Sequence, residues 1–222
     1  MTINSQTLLP DLKYFGSFSN AFRIKAHTLI SWGYQGAVSR IESDSHEETT
    51  ITGYISAAIK NRLRAFNCPI WCEDFSVIEN RPTEKEGCEG KYRPQPDLII
   101  EGNMRGRPEY VFEAKRLKKP GFGTGKYLGD DGLGCFLSGK YAARYDEAAM
   151  LGYVQSDSPG YWQKEIQDKI NQRKVNLNLM TGLQDTEIIN ALPNEWLSIH
   201  KRDCVKRSIS IFHILLDFRA NR

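Results

Sequence analysis

The chain has 222 residues, of which 40% are hydrophobic and 26% charged, and its formal net charge is +3. That length and apolar content suffice for one α/β domain with a full core, and so small a charge excludes a protein held on nucleic acid by bulk charge alone. Met1 to Pro10 lacks a basic start and an apolar core, and no apolar run reaches the roughly 18 residues of a membrane span, so we predict a cytoplasmic protein without membrane contact.

Two helices are predicted before the first strand. Asn20 to Trp32 carries apolar residues at helical spacing, and Gly33 and Gly36 are expected to end that helix. Glu48 to Phe66 is the second helix. Its apolar stripe comprises Ile51, Ile55, Ala58 and Ile59. Glu47 and Glu48 precede Ile51 by four and three residues, so both lie at the start of that stripe.

The middle of the chain predicts a strand followed by a β-hairpin. Ile70 to Ile78 alternates as a strand, and the polar loop Asn80 to Gln95 leads to an apolar run that Asp97 opens. Glu101 to Pro108 is polar and contains glycine, which is typical of a turn, and Tyr110 to Leu117 then forms the returning strand.

Charged residues interrupt that returning strand. Side chains alternate along a strand, so Glu113 and Lys115 share one face, and the hairpin brings Asp97 beside them. Burial of unpartnered charges costs several kcal/mol, which favours a functional role for this group. Two carboxylates suit Mg²⁺, and a neighbouring lysine can orient an attacking water and offset charge on phosphorus. The residues therefore predict metal-assisted phosphodiester hydrolysis.

Pro96-Asp97 followed by Glu113-Ala114-Lys115 resembles the motif of the PD-(D/E)xK nuclease superfamily. The resemblance implies an α/β, restriction-endonuclease-like fold with a central mixed β-sheet flanked by helices. It also implies that Asp97 and Glu113 bind Mg²⁺ or Mn²⁺ and that Lys115 places the nucleophile. Many members add a metal-binding acid from a preceding helix; Glu47 and Glu48 both qualify here, and Glu-x-x-Ile-Thr favours Glu48.

After the motif, Lys118 to Gly139 contains seven glycines and predicts a long surface loop, interpreted as a mobile flap beside the site. Its Gly121 to Lys126 stretch lacks the glycine and hydroxyl positions of a phosphate-binding loop. Tyr141 to Val154 is predicted as a helix. This region resembles the corresponding segment of bacterial nucleases from anti-phage and restriction systems.

The remaining chain predicts a surface helix from Tyr161 to Leu179 and a final buried strand from Ser208 to Phe218, in which His213 is a core residue. Residues 1–222 are interpreted as one domain, with its core at about 40–155. The five cysteines are scattered, and Cys68, Cys72 and Cys88 lack a fourth zinc ligand at recognisable spacing, so we predict reduced, mostly buried thiols.

Four basic clusters are candidate phosphate contacts: Lys60 to Arg64, Arg105 with Arg107, Lys115 to Lys119, and Lys201-Arg202 with Lys206-Arg207. No sequence-reading module is recognisable. The resemblance implies a metal-dependent nuclease that acts on DNA rather than RNA and is the effector of a defence system. Because the chain has no module of its own for reading sequence, we predict that a separate sensor or regulatory subunit, or a second copy of the chain, directs cleavage. A junction-resolvase-like repair nuclease and a non-catalytic nucleic-acid-binding or assembly module are the alternatives.

Overall fold

Seven strands form one mixed sheet in the computed structural model, which describes residues 12–82, 93–203 and 205–220, with side chains from residue 20 onward. The strands are β1 Phe75–Glu79, β2 Leu98–Gly102, β3 Glu109–Leu117, β4 Glu147–Val154, β5 Gln184–Asp185, β6 Glu195–Arg202 and β7 Arg207–Asp217. Their order across the sheet is β1-β2-β3-β4-β7-β6-β5. The two central pairs, β3 with β4 and β4 with β7, are parallel, and the outer pairs are antiparallel.

Helices flank this sheet. They are α1 Leu12–Val38, α2 Glu48–Leu63, α3 Thr124–Tyr127, α4 Leu133–Leu137 and α5 Pro159–Gln172. Side chains of α1 and α2 share one core with Phe112 and Ala114 of β3, whereas α3, α4 and α5 share the other with Val111 and Leu117. We refer to these as the α1/α2 face and the α5 face. The protein is thus α/β with a mixed sheet flanked by helices, and β3 alternates between the two faces as its sequence predicts.

The prediction of a helix from Tyr141 to Val154 is wrong, because residues 147–154 form the central strand β4. This strand is hydrogen-bonded to parallel partners on both sides, and its side chains are buried on both faces. A strand buried on both faces has no polar alternation, so its sequence is a continuous apolar run. Such a run of Ala, Met and Leu cannot be distinguished from a buried helix by periodicity.

The prediction that Gly33 and Gly36 end the first helix is also wrong, since α1 continues to Val38. A Cβ on Gly33 would lie 2.7 Å from Ile55 Cγ2, and one on Gly36 would lie 2.7 Å from the Cβ of Ala58. Both glycines therefore permit close contact between α1 and α2. Their role is helix packing, which the sequence of α1 alone does not reveal.

Residues 118–139 do not form the predicted surface flap. They contain α3 and α4, and five of their side chains lie in the core of the α5 face: Tyr127, Leu128, Leu133, Cys135 and Phe136. The glycines allow tight backbone contacts, as at Gly132, where a Cβ would lie 2.3 Å from the carbonyl oxygen of Tyr127. The segment is a packed crossover between the parallel strands β3 and β4.

The structure also tests the predicted bounds of two further elements and the predicted state of the cysteines. The predicted strand Ile70 to Ile78 begins as a 3₁₀ turn at Ile70–Asp74, and the surface helix ends at Gln172 rather than Leu179. Cys68 and Cys72 form a disulfide, so the prediction of reduced thiols is wrong for this pair. Cys135 is a free, buried cysteine. Cys88, Cys204 and most of the Asn80 to Gln95 loop lie outside the described residues.

The predicted final strand is confirmed as β7, and His213 is a core residue. Its Nδ1 lies 3.1 Å from the Tyr127 hydroxyl and its Nε2 lies 2.7 Å from Oγ of Ser198. Within the described ranges, no helix combines the length and apolarity needed to cross a bilayer.

Candidate active site

The hairpin of β2 and β3 brings the first two candidate residues together. Leu98 pairs with Phe112, so Asp97, which directly precedes β2, lies next to Glu113. The Asp97 side chain accepts a hydrogen bond from the backbone N–H of Ala114 at 2.8 Å. Because β2 begins at Leu98, the edge of β3 beyond Phe112 lacks a β2 partner, and Asp97 supplies an acceptor there.

Glu48 supplies the next acceptor along the same edge. Its Oε2 accepts from the backbone N–H of Arg116 at 3.1 Å, two residues after Ala114. Amide groups two residues apart on a strand point in the same direction, so Asp97 and Glu48 occupy successive positions of a missing strand. This pairing of main-chain donors with acidic side chains fixes both carboxylates at the open edge of β3.

Lys115 joins the acidic residues. Its Nζ donates to Glu113 Oε1 at 2.7 Å, to Glu48 Oε1 at 3.1 Å and to the carbonyl oxygen of Ala114 at 2.7 Å. The Lys115 side chain is 12% exposed and that of Glu113 is 6% exposed, so their interaction is largely shielded from water. The four residues predicted from the sequence, Glu48, Asp97, Glu113 and Lys115, therefore converge at one place in the fold.

Glu47 and Glu48 have different surroundings. The carboxylate of Glu48 faces Lys115, whereas that of Glu47 is 71% exposed and pairs with the Arg116 guanidinium at 2.8 Å. The α2 helix begins at Glu48, and Thr52, one turn later, has its hydroxyl 2.9 Å from that of the buried Tyr153 on β4. The start of α2 is thus anchored to the sheet with Glu48 directed to the site.

Burial and the neighbouring charges shift the pKa values of Glu113, Glu48 and Lys115. Burial, together with the neighbouring charge of Asp97, raises the pKa of Glu113 to about 8, although Lys115 acts in the opposite direction. Burial likewise raises the pKa of Glu48. Burial disfavours the Lys115 ammonium, but Glu113, Glu48 and Asp97 outweigh that effect and raise its pKa. Three carboxylates facing one ammonium leave an excess of negative charge that protonation of Glu113 or a bound cation would relieve.

The fit of a divalent cation rests on two of these carboxylates. Oε2 of Glu113 is buried and accepts no hydrogen bond within the described residues, and Asp97 is close enough to share a proton with Glu113. Mg²⁺ is commonly held by one or two carboxylates with several waters, so this donor pair suits it. In the part of the chain that the structure describes, no three His, Cys, Asp or Glu side chains form a group that could hold a metal ion. Glu48 as a third ligand stays a prediction.

The structure adds residues that the sequence reasoning did not assign to the site. Tyr141 and Cys135 lie on the α5 face near Glu113. Burial is the larger cause that raises the pKa of both side chains, and the charge of Glu113 raises it further. The Tyr141 hydroxyl donates to the carbonyl oxygen of Gln95, two residues before Asp97, at 3.0 Å. The acceptor is the backbone carbonyl of residue 95, which every residue type provides, so the sequence could not predict this contact.

Several basic residues proposed as phosphate contacts are engaged within the protein. Arg116 is buried and bonded to Glu47 and Gln155, and the buried Arg202 donates to the carbonyl oxygens of Ala142 and Tyr145. Lys118 lies 3.3 Å from a carboxylate oxygen of Asp44. These three side chains take part in the fold, whereas Arg107 and Lys201 are largely exposed.

Comparison with known proteins identifies no relative of this chain. A scan against protein-family models found no match, and searches of curated proteins and of solved structures found none either.

Proposed function

We propose that this protein is a divalent-metal-dependent nuclease of the PD-(D/E)xK type, with the restriction-endonuclease-like form of the α/β fold. The observation that carries the proposal is the convergence of Asp97, Glu113, Lys115 and Glu48 at the open edge of β3. These residues come from α2, from the segment before β2 and from β3, and within the described residues Oε2 of Glu113 accepts no hydrogen bond. Two adjacent buried carboxylates repel each other unless they share a proton or bind a cation, so a bound cation would suit this pair.

In this proposal each side chain has a distinct task. Asp97 and Glu113 hold Mg²⁺ or Mn²⁺, with Glu48 as the candidate third ligand. The bound cation would lower the pKa of a water and offset the charge of the phosphate under attack. Lys115 holds its ammonium within 3.1 Å of two carboxylates, and from there it would orient the attacking water and stabilise charge on the phosphate oxygens.

DNA is the proposed substrate, and the biological setting is an effector nuclease of an anti-phage defence or restriction system. Both rest on the resemblance of the motif and of the following segment rather than on a base-reading element. A separate sensor or regulatory subunit, or a second copy of the chain, would then direct cleavage.

Cleavage assays test the proposal. The purified protein would be incubated with supercoiled, linear, branched and single-stranded DNA and with RNA, in Mg²⁺, Mn²⁺ or EDTA. We expect cleavage of DNA that EDTA abolishes and that Asp97→Asn and Glu113→Gln each reduce about a hundredfold or more. Selective cleavage of branched DNA would instead favour a junction-resolving repair enzyme.

Matched substitutions outside the site serve as controls. Asp168 lies on the exposed side of α5 and Glu187 is exposed between β5 and β6, so Asp168→Asn and Glu187→Gln remove the same charges without touching the site. Both controls should cleave like the wild type. Metal-dependent cleavage that survives Asp97→Asn and Glu113→Gln would show that the active site lies elsewhere, and binding of nucleic acid without any cleavage would favour a non-catalytic module.

A further inference from the structure

Hydrogen bonds among Arg116, Gln155 and residues 46–47 connect the strand that carries Glu113 and Lys115 to the start of α2. We call this group the clasp. Arg116 is 5% exposed and projects toward the α1/α2 side of the sheet, opposite to its neighbour Lys115. Its Nε donates to Oε1 of Gln155 at 2.7 Å, and its Nη1 donates to Oε2 of Glu47 at 2.8 Å. The guanidinium also lies over the ring of Phe122, 4.2 Å from its centroid.

Gln155 completes the clasp. It directly follows β4, and its Nε2 donates to the carbonyl oxygen of His46 at 2.9 Å. Arg116 and Gln155 thus form a chain of hydrogen bonds that ends on two consecutive residues, His46 and Glu47, immediately before Glu48. Gln155 uses both of its polar atoms, and its 3% exposure makes loss of either bond costly.

The start of α2 depends on these contacts because the helix lacks its own cap. Glu47 is the N-cap residue of α2, and its side chain makes no capping hydrogen bond. An uncapped helix end leaves backbone donors without local partners, which favours fraying of the first turn. Glu48 lies in that first turn, and it reaches the site only if the turn stays in place.

We propose that Arg116 and Gln155 are positioning residues that hold Glu48 in the site, an inference that rests on the proposed nuclease function. Arg116 contributes twice, because its backbone N–H bonds the Glu48 carboxylate while its side chain holds the residue before it. Among the described residues, the side-chain hydrogen bonds of Arg116 and Gln155 go to Glu47, to the carbonyl oxygen of His46 and to each other, and not to the two carboxylates proposed to hold the cation. Their effect on catalysis is therefore transmitted through Glu48.

The first test measures position directly and does not require activity. The backbone N–H at position 116 donates to Glu48, so its amide-proton resonance and its exchange with solvent report that contact. In metal-free protein, Glu48→Gln defines the signal of a weakened contact. Gln155→Leu, which leaves residue 116 itself unchanged, should move the resonance in the same direction and speed its exchange about tenfold, while the amides of Ile55 and Ile59 in the middle of α2 stay unchanged.

The second test measures catalysis. Arg116→Gln and Gln155→Leu should lower kcat ten- to a hundredfold with little change in KM for DNA, as is found for residues that orient metal ligands. Because the effect passes through Glu48, adding Arg116→Gln to Glu48→Gln should cost little more. The control Arg173→Gln removes an exposed arginine that directly follows α5, and it should leave both measurements unchanged.

The outcomes separate this inference from the nuclease proposal. Glu47→Gln removes a 71% exposed charge and spares the buried part of the clasp, so it tests the contact even if Arg116→Gln fails to fold; it should shift the position-116 amide in the same direction by a smaller amount. Folded clasp variants with an unchanged amide would overturn the inference, whether or not the wild type cleaves DNA. A shifted amide in a protein that cleaves no substrate would support the positioning role and contradict the nuclease function.

Discussion

The Nζ of Lys115 lies 2.7 Å from Oε1 of Glu113, although both residues belong to one strand and are separated by Ala114. This contact ties the ammonium to the carboxylate whose second oxygen is buried and accepts no hydrogen bond within the described residues. The lysine therefore balances part of the acidic charge and leaves one Glu113 oxygen available. In the proposed mechanism, that division would let Lys115 and a cation share one carboxylate.

Replacement of Lys115 tests its role in the reaction. Lys115→Ala removes the ammonium but keeps Asp97 and Glu113, so DNA cleavage at saturating Mg²⁺ should fall about a hundredfold or more. Single-turnover cleavage rates measure the effect. Lys164→Ala removes an exposed lysine on α5 and should cleave normally. Cleavage by Lys115→Ala at the wild-type rate would contradict the assigned role.

Replacement of Glu113 tests its raised pKa. The unfolded carboxyl titrates near 4.3 and the folded one at about 8, so the folded state binds more protons between these values. The contribution of Glu113 to stability is present below about pH 4.3 and is lost as the pH rises through 8. In EDTA, Glu113→Gln should therefore gain stability relative to the wild type from pH 5 to pH 9, by on the order of 1–3 kcal/mol.

Urea unfolding across this pH range measures the difference. Glu187→Gln, at an exposed position, should show no such trend. Mg²⁺ should stabilise the wild type at pH 9 more than it stabilises Glu113→Gln, because binding to the folded state alone raises its stability. A stability difference that is independent of pH would argue against a raised pKa for Glu113.

The contact of α1 with α2 predicts an unusual cost for a small substitution. Alanine is a better helix former than glycine by about 1 kcal/mol, yet a Cβ at Gly33 would lie 2.7 Å and 2.8 Å from side-chain atoms of Ile55 and Ile59. Gly33→Ala should thus destabilise the protein by about 1–3 kcal/mol in urea unfolding. Gly160, in α5, has no atom within 4 Å of an added Cβ, so Gly160→Ala should be neutral or slightly stabilising.

The buried histidine of β7 predicts sensitivity to acid. Burial, followed by the neighbouring His200, lowers the pKa of His213 well below its ordinary value, so the unfolded state takes up a proton more readily. The stabilisation associated with neutral His213 is present above about pH 6.5 and is lost as the pH falls toward the folded pKa.

His213→Gln measures this contribution. At pH 7 the variant should be less stable by about 1–3 kcal/mol, because the bonds to Ser198 and Tyr127 are disrupted. The deficit should narrow between pH 7 and pH 5, since only the wild type loses stability through this histidine. A deficit that widens toward pH 5 would contradict the assigned direction.

The local parts of the site could be predicted from sequence. The hairpin of β2 and β3 follows from a polar, glycine-containing turn between two apolar runs, and the period of two along β3 places Glu113 and Lys115 on one face. Both signals act over a few residues. The convergence of Asp97 with Glu113 is a direct consequence of the hairpin.

Signals that depend on distant contacts could not be interpreted in the same way. The glycines of α1 are ambiguous until α2 is packed against them, and the apolar run of β4 is ambiguous until strands lie on both sides of it. The glycines of α1 predicted a helix end, and the apolar run of β4 predicted a helix, because these are the structures that such residues favour when only local sequence is considered.

By itself, the sequence determined the hairpin, the alternation of charged side chains on β3 and the proximity of Asp97 to Glu113 and Lys115. Only the tertiary structure decided that Glu48 rather than Glu47 faces Lys115, and that Arg116 and Gln155 hold the start of α2. Adjacent glutamates before a helix have nearly identical local preferences. Their difference arises because β3 extends past β2, leaving the Arg116 N–H at an open edge that one of the two carboxylates can reach.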